Sequence, residues 1–242
     1  MLTRGKSQPP TRPRRFYAAA GMGVLEGGFS VLLDGRPVRT PGGVKLVLPT
    51  SALAQLIAAE WGLQGDHIVL PDMPMTQLAY TAVDRAADAR EALADELARY
   101  TGSDLLCYLA EGPTALVERE LAHWGPVLDW AQAELGLGLA RTTGVIHQPQ
   151  PPAALERARA LALELDDFNL TGLIVAAGLF GSAVLALALH RGQLTGEAAF
   201  ELSRLDDAFQ EQQWGVDADA AARTAGLRRE ALALEKWFGA LR

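Results

Sequence analysis

The stretch FSVLLDGRPVRT, residues 29–40, decides how the first part of this 242-residue chain folds. Its Asp34-Gly35 pair lies between two runs of β-forming residues, which is the strongest short-range signal for a two-residue hairpin turn. Pro37 has no backbone N–H, so we expect the second strand to lie at a sheet edge or at a bulge. Glycine pairs separate other short extended pieces over residues 16–48. The pattern predicts a small antiparallel sheet.

Beyond this sheet the hydrophobic period becomes that of helices. Thr50 or Ser51 can cap a helix that ends at Gly62, and residues 67–76 look extended and broken by two prolines. Further helices are predicted over residues 76–100, 113–135, 152–165, 170–189, 195–213 and 217–242. Strands followed by helices are typical of an α+β protein. We therefore predict a small N-terminal antiparallel β domain followed by a C-terminal α-helical bundle domain.

Three segments are expected along the chain: a disordered basic tail over residues 1–15, a β-rich domain with one helix over 16–75, and an α-helical domain over 76–242. The tail combines five basic residues with three prolines and no acid, which is typical of a mobile, solvated terminus. It is not followed by an apolar stretch and a small-residue cleavage site. We therefore do not expect a secretory signal.

Charge and cysteine content limit the possible partners and compartments. The formal net charge of −7 argues against nucleic acid, because binding to phosphates requires clustered Lys and Arg residues. Cys107 is the only cysteine, so the chain cannot form an internal disulfide, and a reducing compartment is expected. In a bacterium this compartment would be the cytoplasm.

The run LTGLIVAAGLFGSAVLALAL, residues 170–189, has no charge and is long enough to span a bilayer. Its glycines and small side chains instead favour a central helix packed by neighbours on all sides. We therefore expect no stable membrane insertion. A membrane-associated scaffold stays as an alternative on the basis of this run alone.

The sequence offers little support for catalysis. Cys107 lies between apolar neighbours in SDLLCYL, the setting of a small core residue. A small hydrolase that uses Cys107 or a hidden acid–base pair is a second alternative. The four histidines are widely separated and form no metal-binding motif. No phosphate-binding glycine loop is present. We predict a protein that is not an enzyme and has no catalytic residues, cofactor or metal.

Seven strings are more distinctive than any catalytic motif: RRFY, FSVLLDGRPVRTP, AAEWGLQGDHI, PDMPMTQLAYTAVDR, SDLLCYLAEGP, HWGPVLDWA and RLDDAFQEQQWGVD. In this order they resemble the ATP synthase assembly chaperone family whose mitochondrial member is assembly factor two, the chaperone of the alpha subunit. The resemblance implies a β-rich domain before a helical one. It also implies a monomer that binds the unassembled alpha subunit and covers its beta-facing surface. In eukaryotic relatives the compartment is the mitochondrial matrix.

Candidate partner-binding residues lie near the C-terminus. Apolar residues at helical spacing precede Trp214, and acidic residues occupy other directions of the same helix. The resemblance assigns importance to an acidic position after the WG turn, which is Asp219 here, where the family commonly has glutamate. The candidates on this segment are Asp207, Glu211, Trp214, Asp217 and Asp219.

Each candidate also has a structural interpretation. Asp217 and Asp219 could cap a helix and interact with its dipole, and Trp214 could be a core residue. Met73 and Met75 in PDMPMT could form an adaptable apolar patch for a partner, or they could lie in the core beside a rigid turn.

Overall fold

The computed structural model describes residues 12–215 and 217–242. Its N-terminal part holds a three-stranded antiparallel sheet in the order β1-β2-β3, formed by Ala20–Leu25, Gly28–Leu33 and Arg36–Pro37. Strand β3, which carries Pro37, lies at an edge as predicted.

The predicted hairpin turn joins β2 to β3. Asp34 and Gly35 have φ angles of 48° and 80°, the positive values that a type I′ turn requires. The Asp34 carboxylate accepts hydrogen bonds from the backbone N–H groups of Ala18 and Ala19 at 3.0 and 2.8 Å. These bonds lower the pKa of Asp34, because they favour its charged form.

The remaining described residues are mainly helical. Residues 12–215 and 217–242 contain ten α-helices: α1 Ser51–Gly62, α2 Pro74–Thr81, α3 Ala87–Gly102, α4 Thr114–Leu135, α5 Pro152–Leu163, α6 Asp167–Phe180, α7 Ala183–Arg191, α8 Gly196–Ser203, α9 Leu205–Trp214 and α10 Ala218–Leu241. A π-helical turn, Ala82–Ala86, links α2 to α3. A parallel pair of two-residue strands, β4 Tyr108–Leu109 and β5 Thr142–Thr143, flanks α4. This pair was not predicted from the sequence.

The expected domain boundaries, after residues 15 and 75, stay predictions. Most of the predicted basic tail, residues 1–11, lies outside the described residues. Within the described part, the Pro13 carbonyl accepts a hydrogen bond from Ile68 N at 2.8 Å. The Arg15 guanidinium donates to the Gln64 carbonyl at 2.5 Å.

The start of α1 and the last helix meet at Thr50. Its hydroxyl oxygen accepts from Leu53 N at 3.1 Å, which caps α1 as predicted, and its hydroxyl donates to the Ala240 carbonyl at 2.6 Å. Helix α10 also packs closely on α6. A β-carbon placed on Gly172 would lie 2.6 Å from Trp237 Nε1, so only glycine allows this approach. The apolar core runs continuously from the sheet to α10.

The prediction of one helix over residues 170–189 was wrong. The chain turns at Gly181, whose φ is +63°, and Ser182 caps the new helix α7 through Leu185 N. Residues 183–189 of α7 are all buried, in agreement with the packed-helix interpretation of this run. Among the described residues, no helix is both long and apolar enough to cross a membrane.

The prediction of one helix over residues 195–213 was also wrong. Helix α8 ends at Ser203 and α9 starts at Leu205, with Arg204 outside helical geometry between them. The indole Nε1 of Trp124 donates to the Leu202 carbonyl at 3.0 Å. That carbonyl is therefore occupied by a bond from α4 rather than by the next helical turn.

Candidate partner-binding surface

An open groove of about 620 Å³ lies between α9 and the residues that lead into α4. Its apolar part is formed by Pro113, Leu116, Phe209 and Trp214. Asp207 and Glu211 add carboxylates to the same groove. Apolar walls with a few polar groups at the margin are typical of a binding site.

Trp214 is the most unusual side chain of this groove because it is 82% exposed. Trp61, Trp124 and Trp237 are all buried, as most tryptophans are expected to be. The core interpretation of Trp214 was therefore wrong. An exposed indole at the end of a helix is a large apolar surface that a partner protein can cover.

Two acidic residues of α9, Asp207 and Glu211, are held by one arginine that sequence reasoning missed. Arg204 contacts Asp207 at 3.1 Å and Glu211 at 2.9 Å. Its side chain is only 21% exposed, whereas Asp207 is 57% exposed. The arginine lies beneath the two carboxylates and orients them, so that Asp207 faces solvent beside the groove.

The two acidic residues after the WG turn, Asp217 and Asp219, have different structural environments. Asp217 caps α10, since its Oδ1 accepts from Ala220 N at 2.7 Å. Asp219 lies exposed in the first turn of the same helix. Asp217 therefore has the structural role that the sequence allowed, and contact of either residue with a partner stays a prediction.

Met73 and Met75 do not belong to this surface. They are 0% and 5% exposed, beside the start of α2. Glu60 fixes this start by accepting hydrogen bonds from the backbone N–H groups of Met75 and Thr76, both at 2.8 Å. Their burial agrees with the core interpretation of PDMPMT, and we leave both methionines out of the proposed surface.

A pair of carboxyl groups lies between α4 and α9. Glu120 on α4 is fully buried, and its Oε2 accepts from Ala110 N at 2.8 Å. The carboxyl group of Asp206 on α9 lies beside it and is one cause of its raised pKa. Glu120 Oε1 and Asp206 Oδ1 are buried with no hydrogen-bond partner among the described residues. Two neighbouring buried carboxyl groups are expected to share a proton, because adjacent like charges disfavour ionisation of both.

Burial, with Asp206 as a further cause, raises the pKa of Glu120 to about 7. A raised pKa means that the folded state holds the proton more tightly than the unfolded state. The resulting stability is fully present below the unfolded value, about 4.3, and is lost as pH rises through about 7. The attachment of α9 to α4 is therefore expected to weaken over this range.

Glu120→Gln is expected to remove this pH dependence, because the amide can accept from Ala110 N and donate to Asp206 without a titrating proton. For the unmodified chain, the free energy of unfolding should fall by on the order of 1 kcal/mol between pH 5.5 and 8. Urea unfolding at both pH values measures it. Glu118→Gln, at an exposed neighbour on α4, is the matched control. Equal pH dependence in Glu120→Gln and the unmodified chain would contradict the shared proton.

The groups considered for catalysis have no reactive setting. Cys107 is fully buried, and burial, together with the charge of Asp104, raises the pKa of its thiol to about 12. The thiol is therefore protonated at neutral pH and is not a nucleophile. Within residues 12–215 and 217–242, no cluster of His, Cys, Asp and Glu is arranged to hold a metal ion.

Comparisons with known proteins give a consistent result. The profile of the ATP12 chaperone protein family matches residues 14–132. The curated mitochondrial protein atp12 of Schizosaccharomyces pombe is 28% identical over 228 residues, which cover 88% of this chain and 78% of that protein.

Solved structures extend the similarity over the whole fold. The crystal structure of Atp12 from Paracoccus denitrificans is 42% identical, with a TM-score of 0.89 over 95% of this chain and 99% of that one. A putative chaperone from Agrobacterium tumefaciens is 39% identical, with a TM-score of 0.89 over 95% of this chain and 87% of that one. These similarities confirm the predicted α+β architecture.

Proposed function

This chain belongs to the ATP12 chaperone family, and from that premise we propose that it assists assembly of the proton-translocating ATP synthase. In this proposal it binds the unassembled alpha subunit and shields its beta-facing surface until the beta subunit replaces it. It acts as a monomer, by binding alone and without a catalytic step. The compartment is the bacterial cytoplasm or its equivalent, the mitochondrial matrix.

The observation that supports the proposal most strongly is the exposed indole of Trp214 beside an open groove. Subunits of permanent complexes have large apolar interfaces, and these aggregate when they are left uncovered. A chaperone for such a subunit needs an apolar anchor of its own. Trp214, together with Phe209 and Leu116, supplies one.

Acidic residues near this apolar anchor favour a partner surface that carries basic groups. Asp207 and Glu211 line the groove, and Asp217 and Asp219 follow along the chain at the start of α10. The proposed partner surface is therefore an apolar patch with basic groups at its margin. Charges at the rim of an interface act mainly on specificity and on the rate of association. The affinity stays below that of the authentic partner, which allows replacement.

Co-purification tests this proposal. The tagged chain is expressed with the alpha subunit alone and with the beta subunit alone, and soluble complexes are recovered through the tag. We expect alpha to remain soluble and bound, and beta not to bind. Recovery of neither subunit with a well-folded chain would contradict the proposed function.

A further inference from the structure

A second apolar feature lies close to the groove. Val145 and Ile146 are adjacent residues in the loop after β5, and they are 96% and 76% exposed. Single exposed aliphatic residues are common on protein surfaces. Two adjacent β-branched side chains are both exposed to solvent here, and we call them the 145–146 tip.

The loop that carries the tip is fixed on both sides. Before it, β5 pairs with β4, and Gly144 N donates to the Leu109 carbonyl at 2.8 Å. After it, the Tyr108 hydroxyl hydrogen bonds to His147 Nδ1 at 3.1 Å. A loop that is already held in place loses less conformational freedom when a partner binds it.

The 145–146 tip is linked to the groove through Glu111. A β-carbon placed on Gly144 would lie 2.9 Å from Glu111 Oε1, so the exposed Glu111 side chain lies against the loop. The next residues of the chain, Gly112 and Pro113, line the groove together with Trp214. Glu111 therefore connects the loop of the tip to the residues that line the groove.

Interface size indicates that the groove alone is too small for a stable complex. A stable interface buries about 800 Å² on each partner, whereas one large aromatic side chain contributes about 150–250 Å². The 145–146 tip adds a second exposed apolar contact, and Glu111, between the loop of the tip and the groove, adds a carboxylate. This pattern matches that of the groove, an apolar centre with acid beside it.

We propose that the 145–146 tip is a second contact site for the same unassembled alpha subunit, with Glu111 facing a basic group of that subunit. This inference rests on the proposed function. The alpha subunit would then carry two apolar contact sites with a basic group between them. Loss of either contact should weaken the complex without affecting the fold.

The test is a titration of alpha subunit onto the full-length chain that carries Val145→Ser and Ile146→Ser. Binding is expected to weaken by roughly tenfold, while the thermal midpoint stays unchanged. The matched control is the double variant Val24→Ser and Leu63→Ser, since these residues are 76% and 84% exposed elsewhere on the surface. The control is expected to bind as the unmodified chain does.

The outcomes separate this inference from the proposed function. Unchanged binding by the tip variant, with weak binding by Trp214→Ala, would overturn the inference and leave the proposed function standing. Failure of the unmodified chain to bind alpha would overturn both. If the tip substitutions abolish self-association of the chain and leave alpha binding intact, the tip serves a second copy and the inference is wrong.

Discussion

Replacing Trp214 by alanine is expected to weaken binding of the free alpha subunit by at least about 30-fold, which corresponds to roughly 2 kcal/mol. The indole is the largest exposed apolar side chain of the groove. Because the side chain is 82% exposed, its removal should change the free energy of unfolding by less than about 0.5 kcal/mol. Titration of alpha onto the purified variant measures the loss.

A matched aromatic control separates a specific effect from a general one. Phe16 is 71% exposed in the N-terminal part, away from α9. Phe16→Ala should therefore bind alpha as the unmodified chain does, and Trp214→Phe should retain part of the affinity. Equal binding by Trp214→Ala and Phe16→Ala would show that the groove is not the binding site.

Asp104→Ala is expected to lower the free energy of unfolding by about 3 kcal/mol or more. Asp104 is fully buried, and its carboxylate accepts from Ser182 Oγ at 2.7 Å, Val184 N at 2.9 Å and Leu106 N at 3.1 Å. Alanine would leave these buried donors without a partner at the start of α7. Urea or thermal unfolding measures the change.

The contribution of Asp104 to stability is expected to decrease as pH rises. Burial raises the pKa of Asp104 to about 6, so the folded state favours its protonated form. Its contribution to stability is fully present below the unfolded pKa, near 3.9, and decreases as pH rises through about 6. Asp104→Ala should lack this pH-dependent contribution to the free energy of unfolding.

Two comparison variants sharpen the Asp104 test. Asp104→Asn keeps an acceptor oxygen and should lose less stability than the alanine variant. Asp88→Ala, at an exposed carboxylate in the first turn of α3, should change the free energy of unfolding by less than about 0.5 kcal/mol. A loss below 1 kcal/mol for Asp104→Ala would show that the buried carboxylate does not hold α7 in place.

Features set by neighbouring residues could be predicted from the sequence, and features set by distant contacts could not. The Asp34-Gly35 turn and the Thr50 cap depend on a few adjacent residues, and both predictions are confirmed. The break between α6 and α7 involves Asp104, which lies 78 residues before Ser182. The break before α9 involves a bond from Trp124 on α4.

The candidate surface also combines features set by neighbouring residues with features set by distant contacts. The acidic and aromatic residues of α9 could be selected from their pattern and from the family resemblance. Which tryptophan is exposed depends on what covers each indole, and Trp214 has the same local signature as buried Trp124. The Glu120–Asp206 pair arises where separate parts of the chain meet, so no local pattern indicates it. The exposure of Val145 and Ile146 depends on what the rest of the fold covers.

The most direct test of the central claim is an exchange experiment. The tagged chain is loaded with alpha subunit, purified as a complex, and challenged with purified beta subunit while light scattering and the eluted proteins are followed. We expect alpha to stay soluble in the complex and to leave with beta, and the tagged chain to be recovered free. Aggregation of alpha despite equimolar chain, or a complex that beta cannot displace, would contradict it.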